Sequence, residues 1–580
     1  MTPGRAALIL IAAIGVLYLV TVLSSPLDAF WTIDGGFKFL TVQQLAATSF
    51  RDVSIPYPGE TIDPEGDFFP VKPPMATRRQ ERFYPDVSLV FPILTTPLYS
   101  AFSWLGLYLL PIVATLVTLW FAYRLAEPGA GPWALITIPI VGLATPVFFY
   151  ALTFWEHNLA VLLTTAAVYL LVRSESRIGA RTALLAGALM GMAVWFREEC
   201  YLFAGSVVVT LIVTRRGVRA TLATLAGCAL AVVPLWIFQW RVLGKAFGGR
   251  IGGASQYGLL RSDAGEGLGG YLTERVETLY AWTLGLHADW TVTLGASVPL
   301  LACAVLFWIL RTRREGLAVA WAGSALYAIV CLLVLGSLDE RVFSTYFAGG
   351  LFATGPVLAA LLAGVLSAHA GPRARRDNFL GLVVLIFFSA AVILSPAKYQ
   401  RGIHWGARYL LPVVPLLAAV GLSGARRALE RTSPRTLPLA LGMLVLALSF
   451  VVQTHGIAAL ATKKRGTART LAAFREKTRE DVVTNEWWVP LEVAAAFRER
   501  RIYLVIDTAD FHRLLGRLGA AAIHRFTLVV SPTMDQVLQD PAISVHAVEP
   551  LVQPAMRYFD LWFCDCGPAE PRPPGQDDSR

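Results

Sequence analysis

VSLVFPILTTPLYSAFSWLGLYLLPIVATLVTLWFAY, residues 87–123, is a run of 37 residues without one charged side chain. A helix needs about 20 apolar residues to cross a bilayer. The run is therefore either two crossings, or one crossing preceded by a helix lying in the interface. Every later loop changes sides with that choice, so this stretch decides the topology.

Apolar runs of membrane length recur on both sides of it. Candidate spans are 6–23, 105–123, 133–152, 158–172, 182–196, 201–214, 220–240, 290–310, 316–336, 345–366, 379–396, 409–424 and 436–454. The expected fold class is an α-helical polytopic membrane protein with about 13 transmembrane helices. Spans 182–196 and 201–214 are short, flank Arg197, Glu198 and Glu199, and suit a shallow hairpin.

Basic residues settle the parity. After alternate spans stand Arg124; Arg173, Arg177 and Arg181; Arg215, Arg216 and Arg219; Arg311, Arg313 and Arg314; Arg373, Arg375 and Arg376; and Arg426, Arg427, Arg431 and Arg435. A single crossing over 87–123 puts all of them on the side of Arg5, and two crossings put all of them opposite. Short basic loops stay cytoplasmic. We therefore expect a cytoplasmic N-terminus and an interfacial segment over 85–103. Outside lie a first loop (24–87), a second loop (241–289), two short loops (337–344 and 397–408) and the C-terminal region.

Composition agrees. Of 580 residues, 55% are hydrophobic and 16% charged, against about 25% charged in a soluble domain. The net charge of +10 comes from the loop arginines, so topology explains it better than a nucleic-acid partner. The apolar run 6–23 exceeds a signal-peptide core of about 7–15 residues and reads as an uncleaved anchor. Cys200, Cys228, Cys303 and Cys331 lie in or beside apolar runs as small hydrophobes. Cys564 and Cys566 form a CxC that is either a strained disulfide, half a metal site or, most simply, two thiols in a loose tail.

The division expected is a membrane domain over 1–455, an extracytoplasmic α/β domain over 456–566 and a disordered tail over 567–580. DVVTNEWWVPLEVAAAF (481–497) reads as strand then helix, and RIYLVIDTADFHRLLGRLGAAAIHRFTLVV (501–530) as strand, helix, strand. This alternation predicts a parallel sheet, with 503–506 and 526–530 as neighbouring strands.

Ionisable residues avoid the middles of the spans, where a coupled transporter keeps them. They collect at outer helix ends, which suits a substrate with its tail in lipid and its head in water. TIDGG (32–36), YPDVSLVFPILTTPLY (84–99), FWEHNLA (154–160), GMAVWFREE (191–199), HWGARYLLPVVPLLA (404–418) and VVTNEWWVP (482–490) follow in that order. This series resembles the C-type membrane glycosyltransferases, the superfamily of protein O-mannosyltransferases and lipid A aminoarabinose transferases.

The resemblance implies inverting sugar transfer from a polyprenyl-phosphate donor to a hydroxyl on a lipid, glycan or protein, at the outer face of a bacterial inner or plasma membrane. It implies that Asp34, the acid of the first outer loop, is the general base, with two glycines allowing close approach of the acceptor. The plainer reading makes Asp34 the N-cap of the following helix. The mannosyltransferases carry an Asp-Glu pair, whereas here Gly35 follows, which sets this chain apart from their substrate. Glu156 is a second candidate acid, to hold the acceptor or to bind a divalent metal with His157 and His404. The plainer reading is a polar pair solvating a helix start.

Arginine matches a phosphate with two parallel hydrogen bonds. Arg408 is the first candidate for the donor phosphate. Lys72, Arg78, Arg79, Arg82 and Arg197 are weaker candidates, and the plainer reading of each is interfacial anchoring or a local salt bridge, for Arg197 with Glu198 or Glu199. Trp155, Trp405 and Tyr409 are candidates to line a sugar or prenyl groove. DAGEGLGG (263–270) lacks the strand and helix of a nucleotide site. Competing readings are a non-catalytic lipid or sugar transporter and an O-antigen polymerase or ligase.

Overall fold

A computed structural model describes residues 2–71, 75–86, 88–173, 178–244, 268–286, 290–311, 315–337, 349–367, 375–395, 404–430, 435–530, 540, 542–551 and 561–568. The chain divides into two compact units. One holds Met1–Ser25 and Pro97–Ala461, and the other Pro26–Thr96 and Thr462–Arg580. The first loop thus groups with the C-terminal region rather than with the spans.

The run that opened the sequence analysis forms two helices, Val90–Phe102 and Gly106–Ala130, separated at Ser103, which has φ of 52°. The first has 13 residues, short of the ~20 a crossing needs. The second has 25. One long helix and one short one is what a single crossing requires.

Among the described residues, eight helices are long and apolar enough to cross a membrane, against the thirteen spans expected. His157–Val172, Ala180–Val194, Cys200–Val213 and Pro356–Leu366 are apolar but shorter. Two predicted spans are broken. Over 133–152 the chain forms Thr137–Leu143 and Val147–Ala151, parted before Pro146. Over 345–366 it forms Leu351–Thr354 and Pro356–Ser367. Proline lacks an N–H and cannot continue a helix ladder. The second outer loop is not bare coil, since it contains the helix Leu268–Thr283. The last span extends into a 42-residue helix, Thr436–Lys477.

Asn158 Nδ2 donates to Thr115 Oγ1 at 2.6 Å and to the Val147 carbonyl at 3.1 Å. These bonds tie the start of the helix His157–Val172 to its neighbours.

The smaller unit carries an antiparallel pair, β1 (Ala76–Arg79) and β2 (Arg82–Pro85), and a five-stranded sheet in the order β4-β3-β5-β7-β6. The strands of this sheet are β3 (Asp481–Thr484), β4 (Arg501–Leu504), β5 (Phe526–Val530), β6 (Ile543–Leu551) and β7 (Leu561–Pro568). The pairs β3–β4 and β3–β5 are parallel, while β5–β7 and β6–β7 are antiparallel. The sheet is therefore mixed, not parallel. β4 and β5 are not neighbours as expected, because β3 lies between them. All four residues of β3 are buried, which suits a central strand covered on both faces.

The helix Thr508–Ala520 packs Phe511, Leu514 and Leu518 into the core with Val483, Tyr503, Leu528 and Phe68. Its N-cap is Asp507, which accepts from the Asp510 N–H at 2.7 Å. Phe68 brings the first loop into this core, and the Leu504 N–H donates to its carbonyl at 2.9 Å. Cys564 and Cys566 are free and buried. They stand on β7 opposite Leu528 and Phe526 rather than in a loose tail. Burial pushes their thiols up, to about 11 and about 12 respectively. The tail expected to be disordered falls outside the described residues, except that β7 reaches Pro568.

Candidate functional site

In the larger unit, three separate stretches bring their polar residues together. The first is the bend before His157–Val172. Glu156 and His157 are each 3% exposed, so they do not solvate a helix start. The Glu156 carboxylate meets Arg197 Nη1 at 3.2 Å, and Arg197 Nε donates to Glu199 Oε1 at 2.9 Å. The second stretch, between Ala180–Val194 and Cys200–Val213, thus supplies a guanidinium shared by two carboxylates. The reading of Arg197 as an ion-pair partner holds with Glu199 and extends to Glu156. Two buried carboxylates already meet its charge, which makes it a poor receptor for a phosphate.

The third stretch is His404–Tyr409. Arg408 opens a 3-10 turn, Arg408–Val413. Its Nη2 donates to the Tyr409 hydroxyl at 3.2 Å. Its guanidinium carbon lies 5.1 Å from the Tyr409 ring centre and 5.8 Å from that of Trp155. Arg197 lies 5.5 Å from the same Tyr409 ring. Trp282, near the end of Leu268–Thr283, stacks on Tyr409 at 5.5 Å. Trp155 in turn stacks on Tyr150 at 5.6 Å, and His157 lies 4.8 Å from Tyr150 and 5.1 Å from Trp155. Arg408, Arg197, Glu156 and His157 therefore share one aromatic-walled cluster. Tyr150 and Trp282 are members that the sequence reading missed, since one aromatic among 11% carries no local signal.

Beside this cluster, an apolar cavity of about 400 Å³ is lined by Leu279, Leu301, Phe307, Leu362 and Leu366. Thr283 and Ser324 also line it, but their hydroxyls bond to carbonyls of their own helices. The helix that bears Trp282 supplies Leu279 as well, so it faces both the cluster and the cavity.

In the smaller unit, Asp34 lies in the first turn of the helix Ile33–Ala47, whose N-cap is Thr32. It is not the cap, which corrects that reading. Its charge there meets the positive end of the helix dipole. Gly36 serves packing rather than an incoming acceptor: a Cβ on it would fall 1.9 Å from the Leu491 carbonyl oxygen. Lys38, 1% exposed, follows Asp34 by four residues and so shares its helix face. The sequence reading missed it, although the i, i+4 acid–base spacing was there to be read.

Arg82 pairs with Asp52 at 3.1 Å while 60% exposed, an ordinary surface ion pair. Arg78 lies over the Phe83 ring, and Arg79 ends the strand β1 (Ala76–Arg79). Lys72 lies outside the described residues.

A divalent ion needs several His, Cys, Asp or Glu ligands converging on one point. Among the described residues, the one group of three or more is Asp63, Glu65 and Asp67. It already holds a cation, because Arg517 pairs with Asp63, with Glu65 at 3.1 Å and with Asp67 at 2.7 Å. Asp63 also accepts from the Tyr57 hydroxyl and from the Phe68 and Asp67 N–H groups. Its oxygens are committed, and the group does not fit a divalent ion. Glu156, His157 and His404 belong to no such group among the described residues, so no step is routed through a metal.

No family model matches the chain, and no curated protein matches it in sequence. Solved structures do match in fold. The Archaeoglobus fulgidus oligosaccharyltransferase in the apo form is similar at a TM-score of 0.50 and 12% identity, over 91% of this chain and 70% of that one. ArnT from Cupriavidus metallidurans bound to undecaprenyl phosphate gives 0.45 and 12%, over 96% and 97%. AglB from Archaeoglobus fulgidus, with an inhibitory peptide and a dolichol-phosphate, gives 0.46 and 13%, over 90% and 70%. The fold is similar to that of the oligosaccharyltransferase, and among the described residues eight helices are long and apolar enough to make the chain an integral membrane protein.

Proposed function

We propose that the chain is an inverting glycosyltransferase. It moves a sugar from a polyprenyl-phosphate donor to a hydroxyl acceptor at the extracytoplasmic face. The observation that carries the reading is the seat of Arg408, a guanidinium held against Trp155 and Tyr409 and bonded to the Tyr409 hydroxyl. A guanidinium set by aromatic faces is pre-oriented for bidentate contact with a phosphate. The fold, shared with an oligosaccharyltransferase, supports the reaction class by analogy.

In this mechanism Asp34 takes the proton of the acceptor hydroxyl, and the acceptor oxygen attacks the anomeric carbon from the face opposite the phosphate. The bond from that carbon to the phosphate oxygen breaks, and its electron pair stays on the leaving polyprenyl phosphate. Arg408 meets the charge that grows there. The cavity beside the cluster takes part of the prenyl chain, since its wall offers no unbonded hydroxyl at Thr283 or Ser324. Arg197 and its two carboxylates hold the Tyr409 side of the cluster.

Native mass spectrometry of the full chain in detergent tests this, with undecaprenyl phosphate added as probe. Bound lipid phosphate is expected, together with any sugar-linked form carried through purification. Binding of undecaprenol as strong as that of undecaprenyl phosphate would remove the phosphate site and the reading with it.

A further inference from the structure

Gln453 is a fully buried amide in the middle of the helix Thr436–Lys477. A polar side chain in an apolar span must find partners, and this one has them on both ends. Its Oε1 accepts from the Trp405 indole N–H at 2.9 Å, and its Nε2 donates to the Thr354 carbonyl. One turn on, Gly456 leaves the helix surface bare where the indole lies, and a Cβ there would come 2.5 Å from Trp405 Cε2. Phe149 stacks on the indole at 6.3 Å. The next residue, Gly406, has φ of +70°, a left-handed conformation that costs glycine nothing. A Cβ on Gly406 would meet Pro146 Cγ at 2.5 Å and Thr354 Oγ1 at 2.7 Å. The loop is thus fixed at Trp405 and Gly406, two residues before Arg408.

We infer that Gln453 is a positioning residue for Arg408: by pinning the Trp405 indole, it sets the backbone from which the phosphate-binding guanidinium extends. The inference rests on the reading of Arg408 as the phosphate contact. Gln453 touches no substrate. It acts through Trp405, whose indole N–H selects a side chain with an acceptor at this point of the helix. The second bond, to Thr354, fixes which way the amide faces and ties the same residue that packs on Gly406.

The experiment measures undecaprenyl phosphate binding to the detergent-solubilised full chain, with undecaprenol as the control for the lipid tail. Losing a charge-assisted contact of about 1.5–3 kcal/mol corresponds to a loss of affinity on the order of tenfold to a hundredfold. Gln453→Leu should weaken undecaprenyl phosphate binding toward that range and leave undecaprenol binding unchanged. Trp405→Phe, which loses only the indole N–H and some ring area, should do the same. It serves also as the second variant if Gln453→Leu does not yield monodisperse protein. In the Arg408→Lys background, Gln453→Leu should add less than about twofold, because residues acting through one another are not additive.

Full additivity with Arg408→Lys would overturn the inference, as would unchanged phosphate affinity in Gln453→Leu and Trp405→Phe while Arg408→Lys binds weakly. An equal loss for both lipids would overturn it too, since that is a general packing defect. If Arg408→Lys itself binds normally, the phosphate reading fails, and this inference fails with it by a separate and recognisable result.

Discussion

Arg197 and Glu156, 41 positions apart in the chain, meet at 3.2 Å with both side chains nearly excluded from solvent. Glu199 completes the group on the other side of the guanidinium. Breaking such a pair leaves a buried charge unmatched, which typically costs about 3–5 kcal/mol. Arg197→Met, which leaves two buried carboxylates facing each other, should therefore lower the thermal inactivation midpoint in detergent sharply. Glu199→Gln, which keeps the Glu156 pair, should cost clearly less. Equal midpoints for Arg197→Met and the unaltered chain would show that the group is hydrated and not buried.

Asp34→Asn should leave folding nearly intact. Thr32, not Asp34, is the N-cap, and a carboxylate in the first helical turn contributes only about 0.3–1 kcal/mol through the dipole. An amide does not take a proton at neutral pH, so transfer should fall by a factor on the order of 10² or more. Undecaprenyl phosphate binding should stay unchanged. Transfer at the unaltered rate would move the base elsewhere, and Glu156 would be the next acid to replace.

Arg408→Lys keeps the charge but loses the planar fork and the aromatic stacking. Donor affinity should drop on the order of tenfold to a hundredfold, with protein yield unchanged. Isothermal titration with undecaprenyl phosphate reads this directly.

Cys564 and Cys566 should stay protonated and unreactive in the folded protein. Burial raises both thiols, to about 11 and about 12, from about 8.5 in an unfolded chain. Above about pH 8.5 the unfolded state loses these protons first, so stability should fall as pH rises through the window up to about 11–12. Cys564→Ala with Cys566→Ala should flatten that decline. Thermal midpoints between pH 7 and 10, alongside maleimide labelling before and after denaturation, check both statements.

A reporter fused after Arg314 should face the cytoplasm, and one fused after Arg580 the outside. This follows from the arginine-bearing loops and from the single long helix over 87–123. The helix Thr436–Lys477 runs unbroken through Gln453, so a fusion within it would cut the helix. An outside signal after Arg314 together with a cytoplasmic signal after Arg580 would mean that 87–123 crosses twice, and matching signals would mean an even number of crossings between the two points.

The sequence by itself determined the class of molecule. Apolar run length is a one-dimensional quantity, and bilayer thickness converts it into candidate spans, whereas the placement of arginines gives an expectation about sides. The split of 87–123 into one long helix and one short one was legible in the same way, and so were the strand, helix and strand over 501–530. What needed three dimensions was every partnership across long separations. β3 enters between β4 and β5 because its four residues suit burial on both faces, and no property of the two outer strands announces this. Phe68 joins the core of a sheet built from the other end of the chain because tertiary burial, not chain proximity, selects partners. Arg197 read as a weaker phosphate candidate with an ion pair as the plainer reading, and only the folded chain shows its pairs with Glu156 and Glu199. Arg408 stood out from its type and its place at a helix start, but its aromatic seat comes from Trp155 and Tyr409. The Gln453 contact that fixes its loop joins residues 48 positions apart. Periodicity shows which face of a helix is apolar, whereas the packing of one helix on another decides which single polar group on that face finds a partner.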